Sequence, residues 1–249
     1  MAIIKPKVIL FLEDERALNY RYKLNYTLNR SIEVKSIDYD LNKFKNDYQL
    51  IGGEPDNNSL YFLHPYKENA YVREKKGEVY FLKEKLNLYK KFASMLGATD
   101  ISANLTLEKT SSIETKVNGE VEYKVLESSV EHKKNKETKY KNSLELHETY
   151  ELQHNYDKSK NLEKLRNLIY NYDLHHEQDL ISLIEARDSS QTGTQLKNHK
   201  VKSEITSEFN NLLEVSAQLN SPVFDIGGSF EKKLQDINSV IVEMNFKFD

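Results

Sequence analysis

Apolar residues recur along this chain with two periods, and the changes of period mark its elements. The run Val8 to Leu12, stopped by Glu13, Asp14 and Glu15, predicts a short buried strand. From Leu18 to Leu28 the even positions Leu18, Tyr20, Tyr22, Leu24, Tyr26 and Leu28 alternate with mostly polar odd ones. That pattern predicts a strand with one wet face. A shorter alternation through Ile32 and Val34, and the run Ser59 to Leu63, predict two further strands. Between them, residues 51–59 are dense in Gly, Pro, Asp and Asn and read as a loop.

From Phe81 to Leu96 the period lengthens. Leu82, Leu86, Tyr89, Ala93 and Leu96 make one helical stripe, and Phe81, Leu88, Phe92 and Met95 widen it. Gly97 follows where a left-handed cap belongs. Period two returns over 99–132, with Ile101, Ala103, Leu105, Leu107, Ile113, Val117, Val121, Tyr123 and Val125 all on odd positions. Constant parity through Asn118-Gly119 predicts a three-residue loop, Asn118 to Glu120, that pairs Val117 with Val121 and Ile113 with Val125. A two-residue Asn-Gly turn would set Val117 against Glu120 instead. Cross-strand pairs contribute ~0.2–1 kcal/mol each, which favours the longer loop over the turn that Asn-Gly ordinarily signals.

After a connector at 131–139, the even positions Tyr140, Leu144, Leu146, Tyr150 and Leu152 predict the third strand of a meander. Leu162, Leu165, Leu168, Ile169 and Tyr172, then Leu180, Ile181 and Ile184, predict two helices. Val201, Ile205, Phe209, Leu213, Val215, Ala217 and Leu219 next alternate on odd positions. Phe224, Ile226 and Phe230, and finally Val240, Val242, Met244, Phe246 and Phe248, complete a second meander. At ~3.3 Å per residue the 201–219 strand would run about 60 Å, far beyond the usual length of about 5–6 residues, so bends are expected, with Gly227-Gly228 one place for them.

The predicted class is α+β. A large, mainly antiparallel twisted sheet is built from two long-strand meanders (about 100–154 and 200–248), with helices at about 81–96, 157–172 and 174–188 packed on it. Residues 1–75 read as an N-terminal β-rich portion and 76–249 as the meander and helix core, compatible with one continuous domain.

Composition narrows the chemistry. No Cys occurs among the 249 residues, which excludes disulfides, thiolate metal sites and a thiol nucleophile. With 36 basic and 39 acidic residues the net charge is −3, so there is no global attraction to nucleic acid or anionic lipid. The apolar run near the N-terminus is five residues long, short of the ~7–15 of a secretory signal. No segment approaches the ~20 apolar residues of a membrane helix. These features predict a cytoplasmic protein.

No P-loop, GxGxxG, GxSxG, HExxH or EF-hand pattern occurs, so no catalytic residue, cofactor or metal is assigned and the chain reads as non-enzymatic. The most site-like motif is "YDLHHEQD" (172–179). On one helix His175 and Asp179 would stand four residues apart, with His176 beside them, a spacing that can ligate a metal; a polar helix start accounts for the same residues. His147, Glu151 and His154 divide between two strand faces and do not predict a shared ion. The connector carries Lys133, Lys134, Lys136, Lys139 and Lys141, candidates for contact with an anionic surface. No aromatic or basic motif predicts sequence-specific nucleic-acid binding.

Two functional expectations follow. In the first, the protein is a β-rich effector whose long amphipathic hairpins mediate self-assembly, membrane pores being one form of it. Residues 101–117, 121–130 and 201–219 reach the ~9–11 residues of a barrel-spanning strand. Ile113, Val117, Val121, Tyr123 and Val125 would form the hairpin's apolar face. In element order, long strands flanking helices, the chain resembles pore-forming folds of the gasdermin or perforin type. In the second, the protein is a binding or scaffold subunit of a larger complex, acting through a sheet edge or the basic patch. A metal-dependent hydrolase built on His175, His176 and Asp179 ranks third.

Overall fold

The computed structural model describes residues 5–22, 28–111, 116–117, 120–121, 138, 140, 144, 146–172, 174–188, 196–219 and 237–248. The chain forms two compact units, each discontinuous in sequence: Met1–Phe81 with Lys109–Ser128 and Thr206–Asn238, and Leu82–Glu108 with Ser129–Ile205 and Ser239–Asp249.

In the first unit, strands β1 (Val8–Leu12), β2 (Ile32–Ser36), β3 (Gln49–Ile51), β4 (Ser59–Leu63) and β5 (Ala70–Arg73) form a mixed sheet ordered β2-β1-β4-β5-β3. β1 is parallel to β2 and antiparallel to β4, which places it inside the sheet. Every one of its residues is buried, as its unbroken apolar run predicts. Its two faces serve two cores. Val8, Leu10 and Leu12 join Phe62, Val72 and Phe81 on one side, and Ile9 and Phe11 join Phe44, Tyr61 and Tyr71 on the other.

The second side is covered by helix α2 (Ile37–Asp47). α2 starts at Ser36, whose hydroxyl accepts from Tyr39 N at 3.1 Å, with Asp38 and Asp40 in the first turn. This is an N-cap with acidic residues at the positive end of the helix. Phe44 then meets Phe11 edge-on at 5.6 Å and stacks on Tyr48 at 4.7 Å.

The first side is covered by helices α1 (Asp14–Tyr22) and, from far along the chain, the Ser207–Ser216 helix. α1 corrects the strand expected over Leu18–Leu28, of which residues 23–27 lie outside the described residues. Parallel pairing of β1 with β2 requires a crossover connection, and a helix is the usual one. Only Ala17 of α1 is buried, while Leu18 and Tyr22 are exposed. Of the alternating set, Tyr20 and Leu28 are partly buried against the core, so the even positions do not form one buried face in the described residues.

Helix α3 (Glu74–Met95) spans the predicted 81–96 helix and begins seven residues earlier; it contributes up to Phe81 to the first unit and from Leu82 to the second. In the second unit, strands β6 (Ala98–Ser111), β9 (Leu146–Thr149), β10 (Asn198–Glu204) and β11 (Ile237–Phe248) form a sheet ordered β10-β11-β6-β9. β11 alternates as predicted, with Val240, Val242, Met244, Phe246 and Phe248 buried. Helices α4 (Lys158–Asn171) and α5 (Gln178–Arg187) occupy the predicted 157–172 and 174–188 segments, joined through a 3₁₀ turn at Leu174–His176. Leu162, Leu165 and Ile169 are the buried stripe of α4.

The single large sheet of two meanders is therefore replaced by sheets of five and four strands. The 201–219 segment is strand β10 followed by helix α6 (Ser207–Ser216). Its buried residues Phe209, Leu212, Leu213 and Ser216 follow helical spacing, and counting odd positions alone passes over Leu212. Tyr140 and Leu144, expected in a strand, are helical and buried. β6 is described from Ala98 to Ser111, and residues 112–115 of the expected 101–117 strand lie outside the described residues.

Strands β7 (Lys116–Val117) and β8 (Glu120–Val121) pair Val117 with Glu120 and Lys116 with Val121. That leaves Asn118 and Gly119 between them, so the expected three-residue loop is corrected to a two-residue one. The backbone twist of an Asn-Gly turn matches that of paired strands, and this local match prevails over side-chain parity. Of the three strands named for self-assembly through long hairpins, the 201–219 one is replaced by a strand and a helix, while residues 112–115 and 122–130 of the other two lie outside the described residues.

Candidate functional site

A buried cluster of charged and polar groups lies inside the second unit. Lys85, in the middle of the apolar stripe of α3, places Nζ 3.3 Å from Glu177 Oε1, and both side chains are 5% exposed. The same ammonium donates to the carbonyl of Glu204 at 3.3 Å. One turn on, the Tyr89 hydroxyl stands 3.3 Å from Asp179 Oδ2, 3.4 Å from Glu177 Oε2 and 3.4 Å from Ser203 Oγ. Burial raises the Tyr89 phenol well above its ordinary pKa, and the Glu177 and Asp179 carboxylates push the same way against the hydrogen bond with Ser203. α3, the start of α5 and β10 are thus tied together by groups that satisfy one another. A buried Lys–Glu pair with added hydrogen bonds holds elements in one register without needing a ligand.

This geometry also places the motif at 172–179. A 3₁₀ turn ends at His176 and α5 begins at Gln178, so His175 and Asp179 do not share one α-helix as the metal-ligating spacing requires. His175 is exposed, its carbonyl accepting from Gln178 Nε2, while His176 Nε2 lies 3.6 Å from Glu177 Oε1. His147 is likewise exposed, 3.5 Å from Asp100. Lys133, Lys134, Lys136, Lys139 and Lys141 lie outside the described residues, as do Ile113, Tyr123 and Val125. Val117 and Val121 are in β7 and β8, each opposite a charged residue.

The most strongly shifted groups in the first unit, Tyr61, Tyr71 and His64, are core groups. Burial pushes the Tyr61 phenol up to about 12, and its hydroxyl donates to the Gly53 carbonyl at 2.6 Å. Burial, helped by nearby Lys67, depresses His64 to about 4. Asp14 is held below the usual carboxylate range by the Ser36 hydroxyl and serves the start of α2.

Among the described residues, an open cleft of about 450 Å³ lies in the second unit, between the end of α3 and the connector 150–157 on one side and the first turns of α4 on the other. Its volume falls within the range of about 300–1,000 Å³ usual for ligand pockets. Gly97, at φ 85°, reverses the chain after α3, and a Cβ there would lie 2.8 Å from the Tyr156 hydroxyl. Glycine is therefore required twice over, for the backbone angle and for the approach of the ring. Tyr156 donates to the Met95 carbonyl at 3.2 Å and so fixes one wall of the cleft to the end of α3.

Beneath this wall Arg187 donates to the Leu96 carbonyl through Nε and Nη2, at 3.3 and 3.1 Å, and stacks 4.2 Å from the Phe248 ring centroid. Burial lowers its pKa. Tyr150 forms a second wall. Its amide donates to the Thr99 carbonyl at 2.7 Å and its hydroxyl donates to Glu148, which in turn pairs with Lys90 at 2.7 Å. Burial first, and then that bond, push the Tyr150 phenol up to about 12. On α4, Asp157 caps the helix by accepting from Lys160 N at 3.0 Å, and Lys160 and Lys164, four apart, face the cleft with Asn161.

None of the cleft residues was assigned to a site from the sequence. In the sequence Tyr150 falls at an apolar strand position, and the polar run "ELQHNYD" (151–157) carries no motif. A smaller hollow of about 350 Å³ between α4 and α5 has an isoleucine floor and includes His175 in its rim. Among the described residues no helix is long and apolar enough to cross a membrane. Comparison with protein-family models, with curated proteins and with solved structures finds no match.

Proposed function

We propose that the protein is a non-enzymatic binding module and that the cleft at residues 94–98 and 150–164 is its recognition site. One observation carries this reading: the cleft's walls are held by committed groups, while its lining keeps polar side chains for a guest. Tyr156, Tyr150 and Asp157 are each engaged in a structural bond, so the hollow is built before anything enters it. Preorganisation of this kind lowers the ordering cost of binding. The groups with strongly shifted acid–base behaviour, which mark catalytic candidates, are mostly spent in packing: Tyr61, Tyr89 and His64 are core residues.

Amide chemical-shift mapping with a mixed library of small neutral, anionic and cationic fragments tests the reading. Perturbations should concentrate at 94–98 and 150–164. Asn161→Trp, which fills the cleft from a helix face, should abolish them while leaving the far-ultraviolet circular dichroism unchanged. Fragments that perturb only other surfaces, or bind the Trp variant equally well, would refute it.

A further inference from the structure

We infer that the ligand of this cleft is a neutral, hydroxyl-rich molecule of the saccharide class; the inference rests on the cleft being the recognition site. Three features of the lining converge on that chemistry. The first is charge. Glu151 and Asp157 oppose Lys160 and Lys164, so the formal charges cancel and neither a strongly anionic nor a strongly cationic guest is selected. An anion would gain from the lysines and lose to the carboxylates across the same hollow.

The second is the balance of donors and acceptors. Gln153, Asn155 and Asn161 line the space, and each carboxamide offers both a carbonyl oxygen and an NH₂. A hydroxyl also donates and accepts, so a polyol can satisfy such groups together with the carboxylates and ammoniums. An apolar guest would cover these groups and leave them unpaired.

The third is the two tyrosines. Their hydroxyls are already bonded, to Met95 O and to Glu148, so what they add to the lining is ring surface. Fixed aromatic surface beside amides and carboxylates accommodates a ring that is apolar on its C–H faces and polar at its rim.

Saturation-transfer NMR on the full chain, with glucose, N-acetylglucosamine, maltose and sucrose as probes, tests this, with inorganic phosphate and citrate as a parallel arm. At least one neutral saccharide should show transfer, with an affinity insensitive to ionic strength. The double variant Asn155→Ala/Asn161→Ala should weaken it by about tenfold or more, as the loss of one or two ligand hydrogen bonds predicts. Binding of phosphate or citrate alone, weakened by salt, would overturn the saccharide assignment and leave the recognition site standing. Fragments that map to the cleft while no saccharide binds would do the same. If neither fragments nor saccharides engage the cleft, the assignment of the site falls with it.

Discussion

At the scale of single residues, this protein spends its unusual chemistry on order. His64 is 3% exposed, with Nδ1 accepting from Tyr66 N at 2.9 Å and its ring edge-on to Tyr80 and Phe81. Held neutral, it has a folded pKa of about 4 against an ordinary 6.5. The unfolded chain therefore binds a proton first as pH falls. The stability that His64 provides is full above about pH 6.5 and is lost as pH drops toward 4, by up to about 3 kcal/mol. Urea denaturation between pH 7 and 4 should show this slope, and His64→Phe should flatten it whatever it does to absolute stability. An unchanged slope in the variant would place the acid sensitivity elsewhere. Lys85 shows the same economy: its charge interrupts an apolar stripe and is answered by Glu177 and the Glu204 carbonyl.

At the scale of elements, α3 and α6 show how contacts override propensity. Gly77 lies inside α3, where alanine would ordinarily add about 1 kcal/mol of helix stability. A Cβ at that position meets Phe209 Cε2 at 3.0 Å. The Phe209 ring cannot move aside easily, because Phe62 and Phe81 flank it edge-on with centroids at 5.5 and 6.0 Å. Gly77→Ala should therefore give no gain, or a loss of stability, in thermal or chemical denaturation. A rise near the propensity value would show that the aromatic cluster yields. The periodicity of α3 was plain in the sequence because its apolar arc is wide and long. α6 was not, because its ten residues follow a strand of matching odd parity, so two elements read as one alternating ribbon.

At the scale of the molecule, distant segments complete each core. Phe209, Leu212, Leu213 and Leu219 join the same cluster as Val8, Leu10 and Phe62. Each such buried side chain is worth about 1.5–3 kcal/mol. A fragment ending at residue 81 keeps all five strands of its sheet but bares the face that α6 covers. It should be poorly dispersed in amide NMR spectra and prone to aggregate. A well-dispersed, monomeric 1–81 fragment would show that α6 is dispensable to this core.

The sequence alone determined β1, β2, β4 and β11, the helices at 158–171 and 178–187 to within a few residues, and the last four turns of α3 with its end at Gly97, though not its first seven residues. Each is governed by period, flanking charge or a backbone angle, all of them local. It could not determine α1 or the break at 204–207, because the crossover between parallel strands and the shared aromatic core are facts of pairing between distant segments. Nor could it reveal the recognition cleft. Tyr150, Tyr156 and Lys164 carry no motif and become a lining only when the end of α3, the 150–157 connector and α4 enclose one volume. Local periodicity records which face is buried; only tertiary packing decides what that face meets and which hollows are left.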